Sequence, residues 1–350
     1  MLSSALLAVA FGTLSASALR DISVKVSGPD TVDGVDNLKV TATITNTGDE
    51  TLKLLNDPYS PLSRIPTDTF RITTEAGETP QFIGVKAKYV PAKAAELGAY
   101  TVLEAGKSIE VEHDISSAYN FTTPGEGRYS FEARNVFYHV DDDGVVGDVL
   151  YANHEDVHTL SLSGKLVKAR VSPTPASRFG KRESYNGCSS SQKSALVSAA
   201  PAAQTYVANA LSYLKSHTSS TTRYTTWFGT YTSSRHSTVQ THFNNLNGND
   251  YSSFTYDCTC TDSGTYAYVY PDDFGYITLC GAFWDAPVTG TDSKGGTLVH
   301  ESSHFTQNGG TQDYVYGQSS AKSLAKSDPS EAIMNADSHE YFAENNPSLS

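Results

Sequence analysis

The stretch Gly296-Thr-Leu-Val-His300-Glu301-Ser302-Ser303-His304-Phe-Thr-Gln-Asn-Gly309-Gly310-Thr311-Gln312-Asp313-Tyr314-Val315-Tyr316-Gly317 decides the reading of this chain. It contains H-E-x-x-H. On a helix, residues four apart lie on one face, one turn above the other. His300 and His304 can therefore present two imidazoles to one ion. Glu301, turned about 100° from His300, can reach a water beside that ion. Two histidines at this spacing with an adjacent carboxylate form the arrangement of zinc-dependent hydrolysis. The flanks predict the helix: Thr297 as N-cap, Gly309-Gly310 as stop, and Leu298, Val299 and Phe305 facing inward. Ser302 and Ser303 are small enough to let neighbours sit close. A catalytic zinc takes three protein ligands and keeps one position open. The double glycine lets the chain turn back, and Asp313 can then supply the third ligand.

Charge and length narrow the partners. The chain has 350 residues and a formal net charge of -13, which argues against nucleic acid or an anionic membrane as partner. Residues 183–350 carry 7 Lys and Arg against 15 Asp and Glu, a balance that favours basic substrates. Residues 1–18 read as a secretory signal, with an apolar run from Leu6 to Leu14 and an A-x-A site at Ala16-Ser17-Ala18. No later segment is apolar enough to span a membrane, so a secreted, soluble protein is expected; a monomer is expected as well. Cys188, Cys258, Cys260 and Cys280 all fall in the back half. In a secreted chain four cysteines predict two disulfides. Cys258 and Cys260 are too close to bridge each other, so each pairs with Cys188 or Cys280.

The front half alternates like β-structure. Asp21-Ile-Ser-Val-Lys-Val-Ser27, the run from Leu38 to Gly48, Ser108-Ile-Glu-Val-Glu-His113 and Gly127-Arg-Tyr-Ser-Phe-Glu-Ala133 place apolar residues at alternate positions. Turn signals separate them, at Asn46-Thr-Gly-Asp49, Glu75-Ala-Gly77 and Asp141-Asp-Asp-Gly144. Short strands with such turns predict an immunoglobulin-like sandwich. Asn120-Phe121-Thr122 is a glycosylation sequon and predicts an exposed loop. His154 and His158 lie four apart, but in strand-like sequence. The segment Arg170-Val-Ser-Pro-Thr-Pro-Ala-Ser-Arg-Phe-Gly-Lys181-Arg182-Glu183 reads as an exposed linker. Lys181-Arg182 is a site for a dibasic processing protease. On that reading residues 19–182 form a propeptide that aids folding or covers the active site, and 183–350 form the mature domain, starting at Glu183 or Ser184.

The back half reads as α+β. Residues 189–217 carry apolar residues at helical spacing, with Pro201 as a break or restart and His217 as a cap. A second helix is expected over 233–246, with His236 and His242 in packing or surface roles. The aromatic run 254–284 reads as a sheet pinned by disulfides, with Tyr276-Ile-Thr-Leu-Cys280 as the edge that would hold a substrate backbone by strand addition. Helices follow over 318–326 and 331–342. Asp337 and Glu340 lie three apart and share a face. By themselves they read as a solvated acidic face.

H-E-x-x-H followed by Gly310-Thr311-Gln312-Asp313-Tyr314-Val315-Tyr316-Gly317 resembles the signature of the aspzincin metallopeptidases, which include the fungal deuterolysins. The likeness is nearer to the fungal peptidyl-Lys metalloendopeptidases, and runs from Tyr185-Asn186-Gly187-Cys188 to Glu344-Asn345-Asn346-Pro347. It implies a zincin-like fold for 183–350 and one Zn²⁺ per chain on His300, His304 and Asp313. It implies Glu301 as general base and Tyr316 as donor to the oxyanion. It implies Asp337 and Glu340 as the pocket for a lysine just after the scissile bond, and the pairs Cys188–Cys258 and Cys260–Cys280. Two other readings stand beside it. One is a deuterolysin-type peptidase with a broader taste for basic proteins. The other is a secreted zinc-binding protein without activity, which leaves Glu301 unexplained.

Overall fold

The computed structural model describes residues 19–169 and 184–350. The expected signal at 1–18, the pair Lys181-Arg182 and Glu183 lie outside the described residues.

In the back half a long helix, Ser190–Ser216, opens with a capping box between Ser189 and Gln192. It closes where the His217 N–H donates to Tyr213 O, the cap expected of that histidine. Leu196, Ala199, Ala203, Val207, Ala210 and Leu214 are buried along one stripe facing the core. Pro201 stays inside the helix. The carbonyl it leaves free belongs to Val197, which is exposed, so water can satisfy it. A second helix, Ser233–Asn247, buries Val239, Phe243 and Leu246, with His236 and His242 buried beside them.

The H-E-x-x-H helix spans Lys294–His304 and is buried along its whole length. It begins a turn earlier than Thr297 predicts. Ser293 is the N-cap and accepts from Gly296 N at 2.9 Å, while Thr297 lies inside the helix and bonds back to Ser293 O. Gly296 is required by close approach: a Cβ there would lie 2.0 Å from Glu344 Oε1 and 2.9 Å from Glu340 Oε1. The missing Cβ lets the C-terminal helix Ala336–Glu344 lay its carboxylates against the H-E-x-x-H helix. The single expected helix over 331–342 is instead Pro329–Ala332 and Ala336–Glu344. Between them Met334 O and Ala336 N bond to the main chain of Gln312, which diverts those peptide groups from a helical ladder. Both disulfides pair as the resemblance implies, Cys188–Cys258 and Cys260–Cys280.

The sheet of this half corrects one expectation. Strands Ser184–Asn186, Thr255–Asp257 and Tyr276–Leu279 run parallel, and Thr265–Val269 lies antiparallel to the last. Tyr276–Leu279 is therefore interior. Thr265–Val269 is the edge, and it is occupied: Lys86–Tyr89, from the front half, pairs antiparallel with it as a fifth strand. Which strand ends a sheet depends on pairing between distant segments, and alternation within one segment does not report it.

Among the described residues the front half holds three four-stranded sheets, one of them built from Leu52–Leu55, Tyr100–Leu103, Val136–Val140 and Val146–Tyr151. The other two face each other across one core. Ile22–Ser27, Lys39–Asn46, Ser108–Asp114 and Asn153–His154 form one. Thr31–Asp33, His158–Ser163, Gly127–Ala133 and Phe70–Thr74 form the other. Val24, Ala42 and Ile44 of the first meet Ile72, Phe131 and Leu160 of the second. His154 and His158 fall on different sheets, and His154 Nε2 bonds Ala133 O. Asn120 is half-buried at the end of the short strand Tyr119–Asn120, rather than in the exposed loop that the sequon predicts. No described helix is long and apolar enough to cross a membrane.

Candidate active site

His300 and His304 lie one turn apart, their rings edge to face with centroids 4.9 Å apart. Past the helix, the N–H groups of Gly309 and Gly310 return to Phe305 O, and Gly310 takes the left-handed conformation, φ 58. The chain doubles back so that Thr311 N bonds Ser303 O and Thr311 O meets His304 Nδ1 at 2.8 Å. Asp313 follows, brought over the two rings. Its Oδ1 lies 3.1 Å from His300 Nε2 and 3.2 Å from His304 Nε2. A tetrahedral zinc with bonds of about 2.0 Å needs donors about 3.3 Å apart, so the three atoms fit one ion. His304 Nε2 is buried without a hydrogen-bond partner, as a nitrogen aimed at a metal would be. Burial works against charge on Asp313, but the two imidazoles hold its carboxyl well below the usual range. The other ring nitrogens also face fixed neighbours: His304 Nδ1 lies 2.8 Å from Thr311 O, and His300 Nδ1 lies 2.9 Å from Asp337 Oδ1. Such contacts orient a metal ligand and set its tautomer.

Glu301 is fully buried beside this triad. Burial, with the Asp313 carboxylate adding to it, pushes its carboxyl up to about 8 against the pull of His300 and Lys88. Its Oε1 accepts from Lys88 N at 3.0 Å, and its Oε2 is buried with no partner. The Tyr316 hydroxyl donates to Ala87 O at 3.1 Å. The peptide bond between Ala87 and Lys88 thus has Tyr316 at its oxygen side and Glu301 at its nitrogen side. Ala87 N donates to Asp313 Oδ2 at 3.1 Å, and Tyr59, also from the front half, donates to the same oxygen at 2.7 Å.

The Lys88 side chain runs on into an acidic pocket. Its ammonium lies 2.7 Å from Glu340 Oε2, 3.0 Å from Asp292 Oδ1 and 3.9 Å from Asp337 Oδ1. Tyr266 and Tyr341 rings flank it at 5.1 and 5.6 Å. A lysine without exposed surface is rare unless paired. Burial opposes its charge, yet Glu340, Asp292 and Asp337 together hold the ammonium well above its ordinary range. Among the described residues two sets of donors could hold a metal, His300-His304-Asp313 and His300-Asp337-Glu340. Glu340 of the second set is the carboxylate nearest the Lys88 ammonium.

Every back-half residue singled out from sequence for chemistry is thus brought to one cleft: His300, Glu301, His304, Asp313, Tyr316, Asp337 and Glu340. Asp337 and Glu340, which by themselves read as a solvated face, are fully buried. Sequence reasoning missed Lys88, Ala87, Tyr59 and Asp292. Lys86-Ala-Lys88-Tyr89 carries no motif. Asp292 stands ahead of the Thr297 cap that the sequence predicts, and so outside the expected helix. The signal that could have found it is Ser293, an equally good cap, which brings Asp292 to the mouth of the helix.

Comparison with known proteins gives a consistent result. A family model described as lysine-specific metallo-endopeptidase matches residues 213–344. A peptidyl-Lys metalloendopeptidase of Grifola frondosa is 59% identical over 353 residues, covering 100% of both chains. One of Armillaria mellea is 54% identical over 349 residues, covering 99% of this chain and 97% of its own. A solved zinc peptidase of Grifola frondosa is 68% identical and covers 47% of this chain and 100% of its own, with a TM-score of 0.46. The chain belongs to the aspzincin metallopeptidase family and is a metalloendopeptidase, with zinc the metal its family implies.

Proposed function

We propose that this protein is a secreted zinc metalloendopeptidase that hydrolyses peptide bonds on the amino side of lysine, and that residues 19–182 are its propeptide. The observation that carries the reading is Lys88. A peptide that follows its alanine with lysine lies antiparallel on the edge strand, its bond between Tyr316 and Glu301 and its ammonium among carboxylates. A substrate adding a strand to that edge would bind the same way.

His300, His304 and Asp313 would hold one Zn²⁺ per chain. Bound there, the ion would supply Lewis-acid chemistry, polarising a scissile carbonyl and acidifying water. Glu301 takes a proton from the attacking water and passes it to the leaving amine, the atom that Lys88 N represents 3.0 Å from Oε1. Tyr316 donates to the carbonyl oxygen as negative charge gathers there. Glu340 and Asp337 draw the lysine ammonium of the substrate.

The front half acts on this reading as a tethered pseudosubstrate, blocking the cleft until a dibasic processing protease cuts after Lys181-Arg182. Two of its sheets, packed across one core, support an immunoglobulin-like sandwich, and Asn120 is its glycan site. The test is digestion of a denatured protein by the processed, zinc-loaded chain, with and without chelator, reading new N-termini by mass spectrometry. Termini beginning with lysine, and silence with chelator, are expected. Mixed but chelator-sensitive termini would replace lysine specificity with the broader basic-protein reading. No cleavage would leave a zinc-binding protein without activity.

A further inference from the structure

The three carboxylates around the Lys88 ammonium are not equivalent. Asp337 is the farthest, at 3.9 Å, beyond hydrogen-bond reach. Its oxygens face other groups: Oδ1 lies 2.9 Å from His300 Nδ1, and Oδ2 accepts from Gly317 N at 2.6 Å. Glu340 is nearest to the ammonium, at 2.7 Å, and also lies 3.2 Å from His300 Nδ1. Asp292 is the second contact, at 3.0 Å, and its carboxylate faces the ammonium rather than the His300 ring. Its Oδ1 accepts from the Tyr341 hydroxyl at 2.7 Å.

Asp292 is also held in place by its backbone. It takes the left-handed conformation, φ 50, which is uncommon outside glycine though tolerated by Asp. Its N–H donates to Glu344 Oε2 at 3.2 Å, and the next residue, Ser293, donates to Glu344 Oε1 through both its N–H and its hydroxyl. Strained conformations of this kind persist where the surroundings over-determine them, and cluster at ligand clamps. The turn aims a carboxylate into the pocket from outside the C-terminal helix that carries Asp337 and Glu340. An ammonium has three donors, and Glu340 alone cannot satisfy them.

We infer that Asp292 is a further specificity-determining residue of this peptidase, contacting the lysine ammonium together with Glu340, while Asp337, the more distant carboxylate of the pocket, is also a positioning residue for the His300 ring. The assignment rests on the lysine reading proposed above. It divides the pocket: one acidic wall from the C-terminal helix, shared with the metal centre, and one from the turn before the H-E-x-x-H helix, which serves the substrate alone.

The experiment compares Asp292→Asn and Asp337→Asn in the processed, zinc-loaded chain, on paired peptides carrying lysine or its uncharged isostere norleucine after the scissile bond. Loss of one charge-assisted contact predicts that Asp292→Asn lowers the lysine-over-norleucine ratio about 10- to 100-fold, mainly through KM, with zinc content unchanged. Asp337→Asn should in addition weaken zinc binding about 10- to 100-fold, a loss that Asp292→Asn does not share. In the unprocessed full chain, hydrogen exchange of amides 86–89 should quicken in Asp292→Asn, less than in Lys88→Met, and adding Asp292→Asn to Lys88→Met should quicken it no further. An unchanged lysine ratio in Asp292→Asn, or additive exchange effects, would overturn the assignment. A wild-type enzyme that does not prefer lysine would instead overturn the reading beneath it.

Discussion

The two ends of the cleft are built differently. The metal end comes from one continuous run: His300, Glu301 and His304 on a helix, then a glycine turn that returns Asp313 and Tyr316 over them. The lysine end is gathered from separate places: Asp292 before that helix, Asp337 and Glu340 on the C-terminal helix, Tyr266 on the edge strand. Its occupant, Lys88, lies 252 residues from Glu340 in the chain. Chemistry that needs fixed geometry among few atoms can be encoded locally, whereas recognition of a side chain needs walls, and walls come from packing. The ends meet at His300, whose two ring nitrogens face Asp313 on one side and Asp337 on the other.

Variants can break the two ends separately. The largest effect is expected at the metal end. Asp313→Ala should lose both zinc and turnover, whereas Glu301→Gln should keep zinc and lose about 10²- to 10⁴-fold in kcat, the range of a positioned acid–base group. Metal analysis beside kinetics distinguishes them, and an active Glu301→Gln chain would remove Glu301 from the mechanism. Tyr316→Phe should cost about 10²- to 10³-fold in kcat with KM little changed, as for loss of one oxyanion donor. A matching rise in KM would make the tyrosine a binding group instead.

The smallest effect concerns the carboxylate beneath the pocket. Burial, reinforced by Glu340, raises the Glu344 carboxyl from 4.5 to about 9. Between those values the folded chain keeps a proton that the unfolded chain has released, so stability falls as pH rises through that window. Glu344→Gln keeps an acceptor for Ser293 but cannot titrate. Thermal midpoints taken from about pH 5 to about pH 8 should fall less in the variant than in the parent. Equal slopes would mean that Glu344 does not carry the dependence.

What is legible in the sequence follows the same division. H-E-x-x-H and the Gly-Gly turn determine His300, His304 and Asp313 through contacts no more than about four helical turns apart in sequence, so spacing alone carries the geometry. The strands of the front half are legible from alternation, and Ile22–Ser27, Lys39–Asn46 and Gly127–Ala133 form where it predicts. The helix start is not legible, because Thr297 and Ser293 are both good caps and the choice falls to Glu344, which accepts from Ser293 across the core. Alternation likewise leaves Tyr276–Leu279 free to be an edge, but Thr255–Asp257 claims its second side. Lys86–Tyr89 cannot be found from its own sequence, because its partner strand belongs to the other half of the molecule.

The most direct test uses a chain that cannot be processed, with Lys181→Ala and Arg182→Ala. Loaded with zinc, it should barely cleave a reporter peptide with lysine after the scissile bond. Adding Lys88→Met removes the ammonium but leaves the strand, and should release activity about 10- to 100-fold as the charged contacts are lost. If the Lys88→Met chain stays as silent as its parent, the front half does not block the cleft by being read as a lysine substrate, and the central claim fails.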